Sequence, residues 1–453
     1  MFDTARADSF EPYGAPSGAS PAFAQLAARG SSAQTVYSTA NWTLPSHTSI
    51  FTGLLPRTAG LAQRVRPIDT ITSWRDRLLP EVFRRAGYST FGVSANPWIS
   101  KAHGFDTGFE TFRLVGSGRA AWRPGMKSAA KWWLSTVRAK ADDGLANVEQ
   151  VVREAIGGRT TKPFFGFVNL MECHSPYMPP RPYNDLGVPQ RVAAARDIRR
   201  FQTERGFYEV TVGDVDLPDD SVRRMRHLYA QSIRMMDDWL ARMLAMLDSA
   251  GILDETLVVV TSDHGENLGE SHTLGHVISM SDRLIRVPLV AAGANGLDTS
   301  GALSQVDLAA LIAEAAGLTD APWQRRADRD VTISQDDGLM TMQDAAARAL
   351  MDLWKLPAHI ESLVRTPRDC AVRGSLKLVR VGADVTLIDL ASDPSEQRNV
   401  AAEHPDVVAE LTRVLDDASR YDAPVGGAPA AAPELDQSEA DELEERMRLL
   451  GYL

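Results

Sequence analysis

Residues 257–266 read LVVVTSDHGE, an apolar run that breaks into a charged turn. A leucine and three valines with no polar face suit a strand buried on both sides, the strand type of a parallel α/β sheet. The polar residues follow where the chain leaves the pleat, at the strand's C-terminal end, and that is the edge on which such sheets carry their sites. Two other segments repeat the pattern: 89–93 (STFGV) runs into Ser94-Ala95-Asn96, and 164–170 (FFGFVNL) runs into Glu172-Cys173-His174. Phe2-Asp3 has the same ending with almost no strand before it.

Working outward, residues 222–247 set Met225, Leu228, Tyr229, Ile233, Met236, Leu240, Met243, Leu244 and Leu247 at spacings of three and four, the period of a helix with one buried face. Gly251 stands where a helix-ending glycine belongs, just before the 257–260 strand, so the pair forms a helix-to-strand unit of an α/β fold. From about residue 368 the pattern changes. Segments 369–373, 376–381 and 385–390 are short strands separated by Arg373-Gly374-Ser375 and Gly382-Ala383-Asp384, which predicts a small antiparallel sheet, followed by a helix over about 406–418. A Gly/Pro/Ala linker and a charged terminal helix complete the chain. The expected architecture is therefore α/β, a mostly parallel central sheet flanked by helices with a small C-terminal antiparallel sheet. Its divisions are a large α/β domain over 1–365, sheet plus helix over 366–420, and linker and helix over 421–453. Trp122, Trp132 and Trp133 lie among basic residues in 114–156, a composition that reads as packing beside a solvated face.

Composition narrows the function classes. Of 453 residues, 44% are hydrophobic and 24% charged, ordinary globular values, and the net charge of -11 argues against a nucleic-acid partner, which would need clustered Lys and Arg. An anionic substrate on such a chain needs a local positive centre, such as a metal. The two cysteines, Cys173 and Cys370, are far apart and have no metal-ligand spacing. No stretch of about 18 apolar residues occurs, and the first ten residues are not a basic run followed by an apolar one; the expectation is a soluble, cytoplasmic protein without a membrane span.

Three constellations carry chemistry. Residues 43–49 (TLPSHTS) read as the start of a helix with Thr43 at its N-cap. A hydroxyl there faces the unpaired N–H groups of the first turn, where a tetrahedral anion binds well, although a threonine at that place serves equally as a plain cap. Asp263-His264 at a strand end offers an oxygen and an imidazole nitrogen to one cation of the Mn, Mg, Ca or Zn kind, or else simply polar loop residues. His174 and His276, one after a strand end and one beside that loop, are candidates for charge neutralisation and proton transfer.

Together these residues resemble sulfatase-like hydrolases of the alkaline phosphatase superfamily. DTARAD with Tyr13-Gly14 is similar to the family opening DTLRAD-YG, and TLPSHTS with Thr52-Gly53 to the nucleophile motif CxPSR-TG. DHGENLG over 263–269 is similar to DHGE-LG, and 389–396 (DLASDPSE) with Asn399 to DL-DPxE-N. The order matches and the motifs cover nearly the whole chain. The resemblance implies that Asp3, Asp263 and His264 bind one divalent cation with Thr43 completing its shell, that Thr43 is the covalent nucleophile, and that His174 and His276 surround the anion. It sets Asn96 where relatives carry an anion-contacting residue.

Three departures follow. Formylglycine, which sulfatases make from Cys or Ser, cannot be made from Thr43 by that route, so a sulfated intermediate would lack its release by hemiacetal collapse, whereas water can open a phosphothreonine at phosphorus. Cleavage of phosphate mono- or diesters or phosphonate esters is therefore expected. A sulfatase without formylglycine, a phosphoglycerol-type transferase and a degenerate binding protein are the alternatives. The substrate would be a small-molecule, glycan or lipid-head-group anionic ester. Second, His47 stands where the motif has arginine, which predicts a titratable group in place of a fixed one, and Thr4 stands where many sulfatases have another acidic ligand. Third, relatives precede the first Asp with an apolar strand of about five to seven residues; here only Met1 and Phe2 precede it, and an upstream natural start is the expectation, a ligand on a frayed terminus the alternative.

Overall fold

The computed structural model describes residues 1–61, 67–117, 126–158, 161–326, 330–337 and 354–419. Trp122 and the linker and helix expected over 421–453 lie outside the described residues. Strand β3 (Ser89–Ser94) lies between β4 (Thr111–Leu114) and β5 (Phe164–Asn169), all parallel, with Ser94 opposite Asn169. That register brings the residues after β3 and β5 to one sheet edge. The next place is taken by Met1–Asp3. The Leu170 N–H donates to the Met1 carbonyl at 3.0 Å, Asp3 N–H to Leu170 O at 2.9 Å, and Phe2 N–H to Thr261 O at 2.9 Å, so three residues bridge β5 to β6 (Val258–Thr261). Beyond it, β9 (Leu289–Ala292) and β1 (Ser31–Ser32) pair antiparallel, a reversal that apolar runs cannot convey, while β2 (Thr35–Tyr37) and β10 (Ala302–Ser304) pair parallel.

The long amphipathic helix spans Asp219–Ser249 and buries Met225, Leu228, Ile233, Met236 and Leu240 against the sheet's core. It stops as expected: Ala250 caps it and Gly251 follows at φ 69°, a left-handed turn that glycine adopts without strain. Its Tyr229 does more than pack. The hydroxyl donates to Thr4 O at 2.8 Å and accepts from Arg6 N–H at 2.9 Å, tying down the turn after Asp3.

The C-terminal sheet has four antiparallel strands in the order β11 (Val331–Asp336), β12 (Arg368–Arg373), β13 (Leu376–Val381) and β14 (Asp384–Asp389). Strand β11 (VTISQD) was not anticipated, because its polar residues hide the alternation, and it lies upstream of the 365/366 division. Helix Pro405–Asp417 covers the sheet with Leu411 and Leu415 against Ala371, Leu378 and Leu387. The fully buried Lys377 donates to Glu396 at 2.7 Å, and Glu396 accepts from Asp282 N–H at 2.9 Å, which keys this sheet to the larger one.

Candidate functional site

Helix Thr43–Thr52 is buried along its length; Thr48 and Thr52 hydroxyls donate to the carbonyls four residues back, and Ser46 Oγ donates to Ala40 O. The N-cap is Trp42, so Thr43 is the first helical residue, one place further in than expected, and no side chain caps the first turn. Pro45 has no N–H and Ser46 N–H reaches Trp42 O, so the Thr43 and Leu44 N–H groups and the positive end of the helix dipole are what the helix start offers beside the Thr43 hydroxyl.

The strand-end residues converge beside it. Asp3, Asp263 and His264 each present a ligand atom, all within 4.8 Å of one another and all buried. Asp263 Oδ1 accepts from the Thr4 and His264 N–H groups at 3.1 and 2.9 Å, and Asp3 Oδ2 accepts from Asn96 Nδ2 at 2.7 Å. Their other oxygens, Asp3 Oδ1 and Asp263 Oδ2, are buried without a hydrogen-bond partner among the described residues. His264 Nδ1 lies 2.9 Å from the Gly265 carbonyl, the bond that makes Nδ1 the protonated nitrogen and leaves Nε2 bare, 3.4 Å from Thr43 Oγ1. Two orphaned carboxylate oxygens and a bare imidazole nitrogen fit a divalent cation. Gly265 permits this turn, since a Cβ there would come within 1.9 Å of Arg283 O.

Burial, and for Asp3 the neighbouring Asp263, push these carboxyls up, Asp3 to about 7 and Asp263 to about 6. Burial moves His264 the other way, to about 3. Thr4, at φ 57°, occupies a backbone region costly for a β-branched residue, with its hydroxyl toward Cys173 Sγ.

Asn96 Nδ2 also lies 3.3 Å from Thr43 Oγ1, so it touches both the nucleophile position and Asp3. His174 and His276 rings are 5.2 Å apart, and His276 is 4.8 Å from His264. The two are pinned differently. His174 Nδ1 faces Ser175 O at 2.7 Å, and burial, then charge on His276, lowers it to about 4. His276 Nδ1 faces Glu266 Oε1 at 3.1 Å; burial opposes its charge, but Glu266 outweighs that and raises it to about 9. His47 lies on the far side of Asp263, its Nδ1 3.5 Å from Asp263 Oδ2. Its Nδ1 faces Thr43 O at 3.0 Å, its ring meets Phe105 and Phe167 edge-on, and burial lowers it to about 3, so it stays neutral where a titration near pH 7 was expected.

Glu266 was quoted within its motif but given no role. Its signal is the hairpin β7 (Asn267–Leu268) with β8 (Leu274–Gly275): Asn267 pairs with Gly275, and the next residues outward are Glu266 and His276. Asn169, which donates to Asp3 Oδ2 at 3.4 Å, and Gln305, which donates to Asp263 O, carried no sequence signal, since each acts across more than 40 residues.

A buried metal-type triad at the edge of an α/β sheet, with a hydroxyl at an uncapped helix start, defines a class of ester hydrolases. The sulfatase family model matches residues 1–318, and the chain belongs to that family, whose members hydrolyse sulfuric or phosphoric ester bonds and whose superfamily generally uses a divalent metal. It is 34% identical over 150 residues to the multifunctional alkaline phosphatase superfamily protein PehA of Trinickia caryophylli, a match spanning 29% of each chain. It is 24% identical over 419 residues to choline-sulfatase of Rhizobium meliloti (strain 1021), covering 84% of this chain and 77% of that one. Phosphonate monoester hydrolase of Agrobacterium radiobacter has the same fold, with a TM-score of 0.65 and 18% identity over 92% of this chain and 94% of that one. Among the described residues no helix is long and apolar enough to cross a membrane.

Proposed function

We propose that this chain cleaves phosphate mono- or diesters or phosphonate esters through a covalent intermediate on Thr43, with one divalent cation held by Asp3, Asp263 and His264. The observation that carries the reading is the Thr43 hydroxyl at an uncapped helix start, beside two buried carboxylate oxygens that lack donors. A divalent cation there supplies Lewis-acid chemistry in two roles, lowering the hydroxyl's pKa and neutralising a nonbridging substrate oxygen.

The chain's own residues divide the remaining work. The helix N–H groups and Asn96 orient the anion, and Thr43 Oγ, its proton passing to solvent, attacks phosphorus in line as the bond to the leaving oxygen breaks. His276, kept as an imidazolium by Glu266, donates a proton to that oxygen. In the second half His174, neutral with a bare Nε2, accepts a proton from the water that attacks phosphorus; as the P–Oγ bond breaks, Thr43 Oγ takes a proton from solvent and the hydroxyl is restored. Environments that push two neighbouring imidazoles apart in basicity suit such an acid and base pair. Threonine favours phosphorus over sulfur for the reason given by formylglycine chemistry. His47 supports the turn below Thr43 as a neutral donor to its carbonyl.

The test is a panel of aryl phosphate, phosphodiester, phosphonate and sulfate esters, each with Mn, Ca, Mg and Zn. Metal-dependent turnover of a phosphorus ester is expected; turnover of the sulfate alone contradicts the reading, and absence of both turnover and bound metal points to a binding protein.

A further inference from the structure

Residues 111–141 hold seven Lys and Arg and no Asp or Glu, in a chain whose net charge is -11. Helix Met126–Arg138 lies within this stretch and divides its residues between two faces. Trp132 enters the core with Trp133 half-buried against it, their rings 5.5 Å apart. Lys131, Leu134 and Arg138, spaced by three and four, share the other face and are exposed, Leu134 by 49%. The chain that leaves β5 adds to that face. Arg181 N–H donates to Ala139 O at 2.8 Å, which sets Arg181 beside Arg138 and Lys140. Arg191 donates to Val137 O at 2.8 Å and to Leu186 O at 2.6 Å, which draws up Val188, 56% exposed at the start of helix Val188–Phe201.

Lys131, Arg138, Lys140 and Arg181 are exposed and form no ion pair among the described residues. The acids next along the chain are engaged: Asp142 accepts from the Gly144 and Ala146 N–H groups, and Asp185 meets His227. Lys131 and Arg138 stand about 10 Å apart along the helix, one Debye length, so their fields add outward. A single exposed leucine or valine is ordinary. Two of them set among unpaired cations call for a partner that is anionic outside and apolar just beneath. A phospholipid leaflet has both layers at every point, whereas an acidic peptide meets the cations and leaves Leu134 and Val188 in water.

We propose that this face docks the chain on an anionic phospholipid surface, with Lys131, Arg138, Lys140 and Arg181 at the phosphates and Leu134 and Val188 entering the edge of the hydrocarbon. Long basic side chains suit that depth, because their stems lie along apolar surface while the charge stays in water. Docking is separate from the chemistry at Thr43 and is measured without turnover.

The experiment floats the full chain with vesicles of phosphatidylcholine alone and with vesicles containing about 30% phosphatidylglycerol, at about 50 and 500 mM salt. At low salt the anionic vesicles are expected to bind at least about tenfold more protein, and high salt to remove most of the difference. Lys131→Gln with Arg138→Gln is expected to weaken partition about twentyfold, and Leu134→Ser about fivefold with no change in salt dependence. All three side chains are exposed, so the variants should keep the wild-type unfolding midpoint; where one does not, the wild-type ratio between the two vesicles decides. Equal partition onto the two vesicles, or none onto the anionic ones at about 5 mM lipid, overturns the proposal. A polyglutamate peptide that binds more tightly than the anionic vesicles assigns the face to an acidic protein and overturns it equally.

Discussion

Asp263 and Lys377 are both fully buried charges, and their surroundings differ in kind. Lys377, in the C-terminal sheet, meets Glu396 at 2.7 Å; nearby, Asp369 receives Arg57 at 2.6 Å and Arg380 at 2.7 Å. Asp263, at the edge of the large sheet, has one oxygen bonded to two backbone N–H groups and the other without a hydrogen-bond partner among the described residues; Asp3 likewise has one oxygen bonded, to the Asn96 and Asn169 amides, and one without a partner. The sheet whose charges are paired holds itself together. The two carboxylate oxygens left without donors at the edge of the large sheet suit a cation instead, and keeping them buried lowers stability.

The largest effect expected is on chemistry. Thr43→Ala should lower kcat by about a thousandfold or more while bound metal, measured by elemental analysis, persists. A variant with near wild-type rate would remove Thr43 from the reaction and break the division of the molecule at its centre. Next in size, Lys377→Met leaves the half-buried Glu396 with only the Asp282 N–H and should destabilise the protein by about 2–3 kcal/mol in denaturant unfolding. Asp263→Asn should act in the opposite sense on stability, raising that of the metal-free protein by about 1–2 kcal/mol while abolishing cation binding. Equal destabilisation by both substitutions would show that the two regions do not differ.

The smallest effect sharpens the comparison through pH. Asp3 and Asp263, raised to about 7 and about 6, carry protons that a cation must displace. Affinity should therefore fall as pH drops through 7 and then 6, by about tenfold per pH unit once one proton is exchanged. His264, lowered to about 3, is neutral throughout that range and adds nothing to the slope. Calorimetry at pH 8, 7 and 6 checks this, and constant affinity would mean that the carboxyls ionise freely without the cation.

The site was more legible in the sequence than its supports. Asp3, Thr43, Asn96, His174, Asp263, His264 and His276 all follow or open regular elements, where polar residues interrupt an apolar pattern, and they do converge. Glu204 and Tyr208 line a cleft beside His276 but lie inside 188–220, which carries no motif, because a cleft wall is set by which helix face turns inward and not by a local pattern. Strand β11 was missed because its partner β12 supplies the burial that its own residues do not announce. Thr43 fell one residue inside its helix because a cap and a first turn look alike until backbone angles are known. His47 was read as a titratable replacement for arginine, and only tertiary packing reveals Phe105 and Phe167 around its ring.

In the proposed reaction Thr43 carries the substrate's phosphorus during turnover. Rapid acid quench of the full chain cleaving an aryl phosphonate ester, followed by mass spectrometry of the peptide containing Thr43, measures this directly. A phosphonyl adduct on Thr43 that forms before product release and is absent from Thr43→Ala is expected. Full turnover with no adduct on that residue would contradict it.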